Sequence, residues 1–377
     1  MTDRPSALPA HPNFSSGPCA KPPGWNPSLL RTDSLGRSHR GAIGKARLQE
    51  AIERTHALLQ LPADYRLGIV PASDTGAMEM AIWSLLGTRP VTLLAWESFG
   101  AGWVTDVAKQ LKLDAGIRTA DYGEIADLTG IDPANDIVFT WNGTTSGVRV
   151  PDADWIAANR TGLTLCDATS AAFAQDIDWR KIDVGTFSWQ KALGGEAAHG
   201  MLVLSPRGVE RLEREPAPRP LPKIFRLTKG GKLIDGVFKG ETINTPSMLC
   251  VEDWLVALGW AQGVGGLEAL IARANGNAAA LDRWVQSADW IEHLAKDAAT
   301  RSNTSVCLQF ADRSDEERNR DRQKAIAKLL EKEGGAYDIG AYRDAPPGLR
   351  IWCGATVDTA DIEALGPWLD WAWEQTK

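Results

Sequence analysis

The 377-residue sequence predicts an α/β fold, with a large domain on a mostly parallel β-sheet and a smaller C-terminal α+β domain. Short strand-like apolar runs alternate with helical runs through the first half of the chain. This alternation is typical of a parallel sheet that is covered by helices on both faces. The C-terminal part has a different order of strands and helices, and the 44% hydrophobic content is that of an ordinary globular protein.

The predicted elements of the large domain begin near residue 40. They run from the helix in "RGAIGKARLQEAIERTHALLQL" through strand "YRLGIVPA", helix "SDTGAMEMAIWSLLG", strand "VTLLAWE", helix "SFGAGWVTDVAKQLKL" and strand "DIVFTW". Two further strands lie in "GLTLCDATSAAFA" and "KIDVGTFSWQK", and each ends in a polar residue. Since ligands of open α/β sheets bind at strand ends, these polar residues are the first candidates for a site.

A long loop and a smaller domain are predicted to follow. The segment "REPAPRPLPKIFRLTKGGKLIDGVFKGETINTP" is rich in Pro and Lys and interrupts the alternation. Helices "SMLCVEDWLVALGWAQ" and "GLEALIARANGNAAALDRWVQSA" lead into strand "TSVCLQFA", helix "RDRQKAIAKLLEKEG", strands "AYDIGAY" and "GLRIWCGATV", and helix "TADIEALGPWLDWAWEQ". We expect an extended arm at 1–15, a large domain at 16–268 and a small domain at 269–377.

Composition excludes several classes of protein. A net charge of −7 argues against nucleic-acid binding, which normally needs a basic face. The five cysteines have no CxxC spacing, so we expect no disulfide framework and no metal site, and a reducing cytoplasm fits. We expect no membrane segment, because no run reaches about 18 apolar residues. Most of the sixteen tryptophans are predicted to pack in cores or interfaces.

Lys191, in "TFSWQKALGGEAAHG", is the first candidate for chemistry. A lysine amine in a partly dry pocket has a lowered pKa and can form a Schiff base with an aldehyde. On this stretch alone, a surface lysine is the favoured interpretation. Asp167 ends the preceding apolar strand, so both residues are expected at one edge of the sheet. A pyridoxal phosphate site needs this pair, a lysine for the aldehyde and a carboxylate for the ring nitrogen; Asp167 alone could instead cap a helix.

The start of the helix in "SDTGAMEM" is a candidate phosphate site. Ser73, Asp74 and Thr75 follow a strand, and the free N–H groups of the following helix favour an anion. The same residues are also ordinary helix caps. Trp103 in "SFGAGW" is a candidate for stacking on a cofactor ring, and a packing tryptophan is the alternative.

Arginines indicate an acidic substrate. Arg350 lies in the apolar strand "GLRIWCGA", where a carboxylate ligand would match its guanidinium. His39 and Arg40 in "GRSHRG", with Arg343 in "AYRDAPP", are candidates for a second anion pocket. Each arginine could instead be a surface or ion-paired residue.

Two other interpretations remain open. "SWQK", from Ser188 to Lys191, has the S-x-x-K spacing of serine acyl enzymes, but the strings "SDT" at Ser73 and "KGG" at Lys229 do not supply the other motifs of that mechanism. A tryptophan-rich binding protein without catalysis is the second interpretation.

Taken in order, the strings "ASDTGAMEMA", "GAGW", "WNGTTSG", "LCDATSA", "FSWQKALGG" and "ETINTPSM" resemble the fold-type I, class V aminotransferases. Within that class, "SHRGAIGKA", "ETINTP" and "GLRIWCGA" are similar to the phosphoserine aminotransferase family. The resemblance implies a seven-stranded sheet, a homodimer and pyridoxal phosphate. It also implies amino transfer between glutamate and 3-phosphohydroxypyruvate, giving O-phosphoserine and 2-oxoglutarate in serine biosynthesis. An alanine–glyoxylate or serine–pyruvate aminotransferase of the same class is the alternative.

The resemblance also implies roles for individual residues. Lys191 would hold the cofactor aldehyde, Asp167 its ring nitrogen, Trp103 its ring face, and Thr144 or Thr145 its hydroxyl side. The cofactor phosphate would be bound by Asp74, Thr75 and Gln190, and by Asn244 and Thr245 of the neighbouring subunit. The substrate would be held by His39, Arg40 and Arg343 at its distal anion and by Arg350 at its α-carboxylate.

Overall fold

The computed structural model describes residues 3–376 and contains fourteen strands and eight α-helices in that range. The strands are β1 (Arg66–Pro71), β2 (Val91–Ala95), β3 (Ala115–Thr119), β4 (Asp136–Thr140), β5 (Asn142–Gly143), β6 (Val148–Arg149), β7 (Thr164–Asp167), β8 (Val184–Ser188), β9 (His199–Leu204), β10 (Thr228–Lys229), β11 (Lys232–Leu233), β12 (Ile291–His293), β13 (Ser305–Phe310) and β14 (Gly348–Trp352). The helices are α1 (Ala42–Leu58), α2 (Ser73–Leu85), α3 (Ser98–Thr105), α4 (Pro206–Arg214), α5 (Met248–Gly263), α6 (Gly266–Ser287), α7 (Glu316–Glu333) and α8 (Thr359–Gln375).

Seven strands form the main sheet, in the order β1-β9-β8-β7-β4-β2-β3. Strands β3, β2, β4, β7 and β8 are parallel to their neighbours, whereas β9 runs antiparallel to both β8 and β1. The predicted mostly parallel, seven-stranded sheet is therefore confirmed.

Helices cover both faces of this sheet, because alternate residues of each central strand point to opposite sides. In β4, Ile137 and Phe139 pack into the core beneath α1 and α5, while Val138 packs into the core beneath α2 and α4. All five residues of β4 are buried, as expected for a strand covered on both faces. The carboxyl ends of the parallel strands are thus held rigidly along one edge.

A second, three-stranded antiparallel sheet lies in the C-terminal part, in the order β12-β13-β14. It shares a core with α7, α8 and the second half of α6, while the first half of α6 packs into the core of the main sheet. The N-terminal segment joins this smaller core: Phe14 is fully buried, and its carbonyl accepts a hydrogen bond of 3.0 Å from the Trp352 N–H. The domain boundaries given above stay a prediction.

Several predicted elements need correction. "AYDIGAY" forms no strand and makes only isolated bridges, such as that between Gly340 and Leu349, because the left-handed backbone of Asp338, with φ of 57°, interrupts the extended conformation. Strands β3, β9 and β12 and helix α4 lay outside the predicted elements. The predicted loop after α4 contains the hairpin β10–β11 and a 3-10 turn at Asp235–Lys239.

Among the described residues, no single helix has both the length and the apolar composition needed to span a membrane. Helices α5 and α6 meet that criterion only when taken as a pair, and the pair is bent by 85°.

Candidate active site

Lys191 and Asp167 lie together at the carboxyl edge of the main sheet. Strands β7 and β8 are parallel neighbours, with Asp167 paired to Thr186, and Lys191 follows β8 in the next turn. Both side chains line a cavity of about 280 Å³, here called the Lys191 cavity. Its walls are formed by Gly17, Pro18, Ser73, Asp74, Thr75, Phe99, Trp103, Thr140, Asn142, Thr144, Asp167, Thr169, Ser170, Gln190, Lys191 and Ala197.

The Lys191 amine is held in a dry environment. Its side chain is 8% exposed, and Nζ donates to the carbonyl oxygen of Ser16. Burial is the main reason that the pKa of Lys191 lies below its ordinary value; the positive charge of Arg350 adds to this effect, and the carboxylate of Asp167 opposes it. A lowered pKa increases the fraction of the neutral, nucleophilic amine.

Asp167 is oriented by two donors. One carboxylate oxygen accepts from Trp103 Nε1 at 3.1 Å, and the other accepts from the Thr169 N–H at 3.0 Å. The carboxylate is 5% exposed, so its orientation is set by the protein and not by solvent. Trp103 reaches it from α3, which packs over β2 and β4.

The turn between β1 and α2 forms another wall of the Lys191 cavity. Ala72 and Ser73 both have left-handed backbone conformations, with φ of 65° and 51°, an arrangement that costs energy for residues other than Gly. Gly200 permits this turn, because a Cβ atom there would lie 2.2 Å from the Ser73 carbonyl oxygen. The amino end of α2 is thereby brought into the cavity wall.

Asp74 and Gln190 each present a buried oxygen that has no hydrogen-bond partner among residues 3–376, Oδ1 and Oε1 respectively. Burial, and then the negative charge of Asp167, raises the pKa of Asp74 well above its ordinary value. Besides burial, this shift reflects the closeness of the Asp74 and Asp167 carboxyl groups, two acidic groups that disfavour ionisation of each other.

The structure shows which of the two candidate threonines, Thr144 and Thr145, lines the Lys191 cavity. Thr144 lines the Lys191 cavity, and its hydroxyl lies 2.5 Å from Ser170 Oγ. Thr145 is turned away and donates to Glu97 Oε2 at 2.9 Å. Burial raises the pKa of Glu97 to about 7. Glu97 also accepts from the Gly100 N–H at 2.7 Å and so caps α3, the helix that carries Trp103.

Arg350 lies on β14 beside this region. Its guanidinium is 5.6 Å from the centre of the Tyr342 ring, and its Nε is buried without a hydrogen-bond partner in the described part of the chain. Arg343, by contrast, has a side chain that is 81% exposed, beside Asp344. The structure thus places one unsatisfied arginine near the Lys191 cavity and one in solvent.

Four predicted site residues lie elsewhere in the single chain. His39 and Arg40 line a separate cavity at the start of α1. Asn244 and Thr245 are exposed and do not line the Lys191 cavity. The predicted pocket of His39, Arg40 and Arg343 is therefore not assembled within one chain, because α1 and the Arg343 loop belong to different parts of the fold.

Ser188 is not positioned as a nucleophile. Its side chain is 4% exposed, its hydroxyl has no partner in the region 3–376, and it lies outside the walls of the Lys191 cavity. The strand alternation turns it away from Lys191. This position removes the serine acyl-enzyme interpretation.

Two other features were missed or left open. Sequence reasoning missed the segment from Ser16 to Pro18, which contacts Lys191 and forms part of the cavity wall. The Gly-Pro pair in the string "SSGP" indicates a turn there and could have drawn attention to it. His199 had no assigned role; its Nε2 accepts a hydrogen bond of 3.1 Å from the Ser247 N–H, and burial lowers its pKa to about 4. A neutral His199 thus fixes the end of the segment that carries Asn244 and Thr245.

Comparison with solved structures shows the fold. The phosphoserine aminotransferase of Cytophaga hutchinsonii superposes with a TM-score of 0.81 at 22% identity, over 95% of this chain and 97% of that one. An alanine–glyoxylate aminotransferase from Nostoc sp. has a TM-score of 0.79 at 18% identity, over 99% and 97%. The fold is that of the pyridoxal-phosphate-dependent aminotransferases of fold type I.

Sequence comparison gives the family. The phosphoserine aminotransferase of Methanosarcina barkeri is 58% identical over 375 residues, which cover 99% of this chain and 100% of that protein. The chain therefore belongs to the phosphoserine aminotransferase family. No protein-family model matches the chain.

The residues present in the Lys191 cavity fit pyridoxal phosphate. The cavity has a buried amine with a lowered pKa, an oriented carboxylate across from it, and unpaired polar atoms of Asp74 and Gln190 beside the amino end of α2. Its volume is near the lower end of small-molecule sites, which begin at about 300 Å³. An amine for an aldehyde, a carboxylate for a ring nitrogen and a helix end for a phosphate are the groups that this cofactor requires.

Proposed function

We propose that the protein transfers an amino group between glutamate and 3-phosphohydroxypyruvate, giving O-phospho-L-serine and 2-oxoglutarate. The observation that carries this proposal is the Lys191 cavity, in which a buried lysine faces an oriented aspartate in a chain of this family. Formation of phosphoserine would place the protein in serine biosynthesis. The phosphohydroxythreonine step of vitamin B6 synthesis has the same chemistry and is part of the proposal.

When bound, pyridoxal phosphate supplies an electrophilic aldehyde and a ring that withdraws electrons from the substrate's α-carbon. Lys191 would hold the aldehyde, and its neutral amine would be the group that moves a proton at the substrate's α-carbon. Its lowered pKa favours the neutral amine that this step requires. Asp167 would keep a proton on the ring nitrogen, and Trp103, which donates to Asp167, would also cover the ring.

The remaining contacts to the cofactor are assigned to the polar walls of the cavity. Thr144 would contact the hydroxyl side of the ring, and Asp74, Thr75 and Gln190 would hold the phosphate at the amino end of α2; all four residues line the cavity. The position of these residues at the amino end of α2 supports this assignment, because the free N–H groups of a helix start favour an anion.

The protein is proposed to act as a homodimer in the cytoplasm. Asn244 and Thr245 are exposed in the single chain, which supports their reaching the cofactor phosphate of the neighbouring subunit. His39, Arg40 and Arg343 would hold the distal anion of the substrate, and Arg350 its α-carboxylate. The five cysteines, all of them free, support a reducing compartment.

An alanine–glyoxylate or serine–pyruvate aminotransferase is the second candidate, because the Nostoc structure matches the fold almost equally well. The two functions differ in the distal anion of the substrate. Single-turnover rates with O-phosphoserine, glutamate, alanine and serine, followed by the visible absorbance of the cofactor, distinguish them. We expect O-phosphoserine and glutamate to react fastest, and faster reaction of alanine or serine would transfer the assignment to the second candidate.

A further inference from the structure

A basic cavity of about 600 Å³ lies at the amino end of α1. Here it is called the basic cavity. Its cationic lining residues are His39, Arg40, Lys45, Lys223, Arg226 and Lys229, and its acidic lining residue is Glu241. Within residues 3–376, no side chain lines both the basic cavity and the Lys191 cavity.

Most of this positive charge is not neutralised by the protein. Lys45 pairs with Glu241 at 3.0 Å, whereas Arg40, Lys223 and Lys229 make no salt bridge within the described residues. Arg226 donates through Nε to the Leu221 carbonyl oxygen at 2.8 Å, which orients its guanidinium without neutralising it. Such a concentration of unpaired cations favours an anionic ligand.

Two further observations point to an anion in the basic cavity. His39 is 8% exposed, yet its Nε2 is buried with no hydrogen-bond partner in the described chain. The N-cap residue of α1 is Gly41, which has no side chain to cap the first turn, so the positive end of the helix dipole remains uncompensated. An anion in the basic cavity would satisfy the free N–H groups of the helix end and, in the tautomer with a proton on Nε2, the buried imidazole of His39 as well.

The course of the chain connects the basic cavity to the proposed dimer. Thr242 and Ile243 line this cavity, and Asn244 and Thr245 follow them directly. If those two residues reach the neighbouring cofactor, the basic cavity must open beside the neighbouring active site. His39 and Arg40, assigned above to the distal anion, lie in the same cavity wall.

We propose that Lys223 and Arg226 complete, with His39 and Arg40, the pocket for the substrate's phosphoryl group at the partner subunit's cofactor. This inference rests on the proposed function and adds two residues that select the phosphoryl group. A phosphoryl group carries up to two negative charges and a γ-carboxylate one, so each added cation stabilises the phosphorylated substrate more. The guanidinium of Arg226 also matches two phosphoryl oxygens at once.

The selectivity is tested with the variants Lys223→Gln and Arg226→Gln. Both residues are exposed in the single chain, so the variants are expected to fold. The matched control is Lys232→Gln, which lies on β11 of the same segment but pairs with Glu213 at 3.1 Å outside the cavity. The ratio kcat/KM of the amino-group transfer is measured with O-phosphoserine, glutamate and serine as amino donors.

We expect kcat/KM to fall by about 10- to 100-fold for O-phosphoserine, by a smaller factor for glutamate and by less than about twofold for serine. The control should match the wild type with all three. An equal loss for the three substrates, or no loss with O-phosphoserine, would overturn the inference.

Binding of inorganic phosphate to the holoenzyme, followed by calorimetry, separates this inference from the proposed function. If the wild type binds phosphate but reacts with O-phosphoserine no faster than with serine, the proposed function fails and the anion site stands. If the wild type uses O-phosphoserine and the two variants bind phosphate as it does, the proposed function stands and the inference fails.

Hybrid dimers test whether the pocket acts across the interface. A Lys191→Ala subunit paired with an Arg226→Gln subunit contains one intact site only if the basic cavity serves its partner. We expect such purified hybrids to recover a level of O-phosphoserine activity that exceeds that of both parents. Failure to recover it, or a fully active monomer, would refute the cross-subunit assignment.

Discussion

The Lys191 cavity and the basic cavity differ in where their charged groups lie. In the Lys191 cavity the amine and the carboxylate are both more than nine-tenths buried and oriented by neighbours from the same chain. In the basic cavity Lys223, Arg226 and Lys229 are exposed and have no ionic partner in the described residues. The first site is therefore pre-organised by one chain, whereas the second depends on a ligand and a partner to complete it.

Replacement of Lys191 by Ala, in the pre-organised Lys191 cavity, should produce the largest loss of activity. Removal of the amine takes away both the cofactor attachment and the proton carrier, so we expect turnover to fall by at least about 10³-fold. The measurement is transamination of O-phosphoserine together with the visible cofactor band. The control is Lys181→Ala, whose amine donates to the Ile156 carbonyl oxygen outside the cavity. A Lys191→Ala protein with a normal band and full turnover would contradict the assignment.

The variant Asp167→Asn should have the next largest effect. The amide keeps the shape but loses the charge that would hold a proton on the ring nitrogen, and charged hydrogen bonds contribute about 1.5–3 kcal/mol. We expect single-turnover rates to fall by about 10- to 100-fold with every amino donor. Asp176→Asn, at an exposed position nearby in sequence, is the control. A loss of rate with O-phosphoserine alone would show that Asp167 acts on that substrate and not on the cofactor ring.

His199 lies on β9 of the main sheet and accepts a hydrogen bond from Ser247, at the end of the segment that lines the basic cavity. We expect the free energy of unfolding to depend on pH through this histidine. Because its pKa is about 4 when folded and about 6.5 when unfolded, the unfolded state binds an extra proton as the pH falls below 6.5. The free energy of unfolding should therefore decrease by about 2 kcal/mol between pH 7 and pH 5 from this residue alone.

The variant His199→Gln, which can still accept from the Ser247 N–H, should lose that pH dependence. Urea unfolding at pH 7, 6 and 5 measures it, and His56→Gln on α1 serves as the control. An unchanged pH profile in His199→Gln would show that another group is responsible.

The variant Trp103→Phe should have a smaller effect, because it keeps an aromatic ring and removes only the N–H that donates to Asp167. A hydrogen bond of this kind contributes about 1.5 kcal/mol, so we expect the dissociation constant of the cofactor to rise about tenfold. Fluorescence titration of the cofactor-free protein measures it, with Trp83→Phe on α2 as the control. Unchanged cofactor affinity would show that Asp167 does not need this donor.

A change in salt concentration should have the smallest effect on activity, and it should affect binding at the basic cavity more than binding at the Lys191 cavity. Exposed charges are screened by salt, whereas buried ones are screened much less. Between 50 and 500 mM salt we expect the KM for O-phosphoserine to rise by about threefold, while the KM for serine stays nearly constant. Equal salt dependence for both substrates would remove the distinction between an exposed and a buried site.

Much of the Lys191 cavity could be predicted from the polar residues that end the parallel strands. Asp167 and Lys191 each close an apolar strand, and parallel neighbours bring such ends to one edge. The strand prediction for "AYDIGAY" was wrong because a run of apolar and aromatic residues does not show how sharply the chain turns. Strand β9 was missed because a fully buried strand lacks the alternation that marks a half-buried one.

The sequence by itself determined the fold class, the pairing of Lys191 with Asp167 and the helix start at Asp74, because these depend on local periodicity and on strand ends. Only the tertiary structure decided that Thr144 and not Thr145 faces the cavity, that the Ser16 carbonyl contacts Lys191, and that His39 lies with Lys223 and Arg226 in a separate basic cavity. Those contacts join residues far apart in the chain, and their geometry depends on how whole elements pack, which no local pattern encodes.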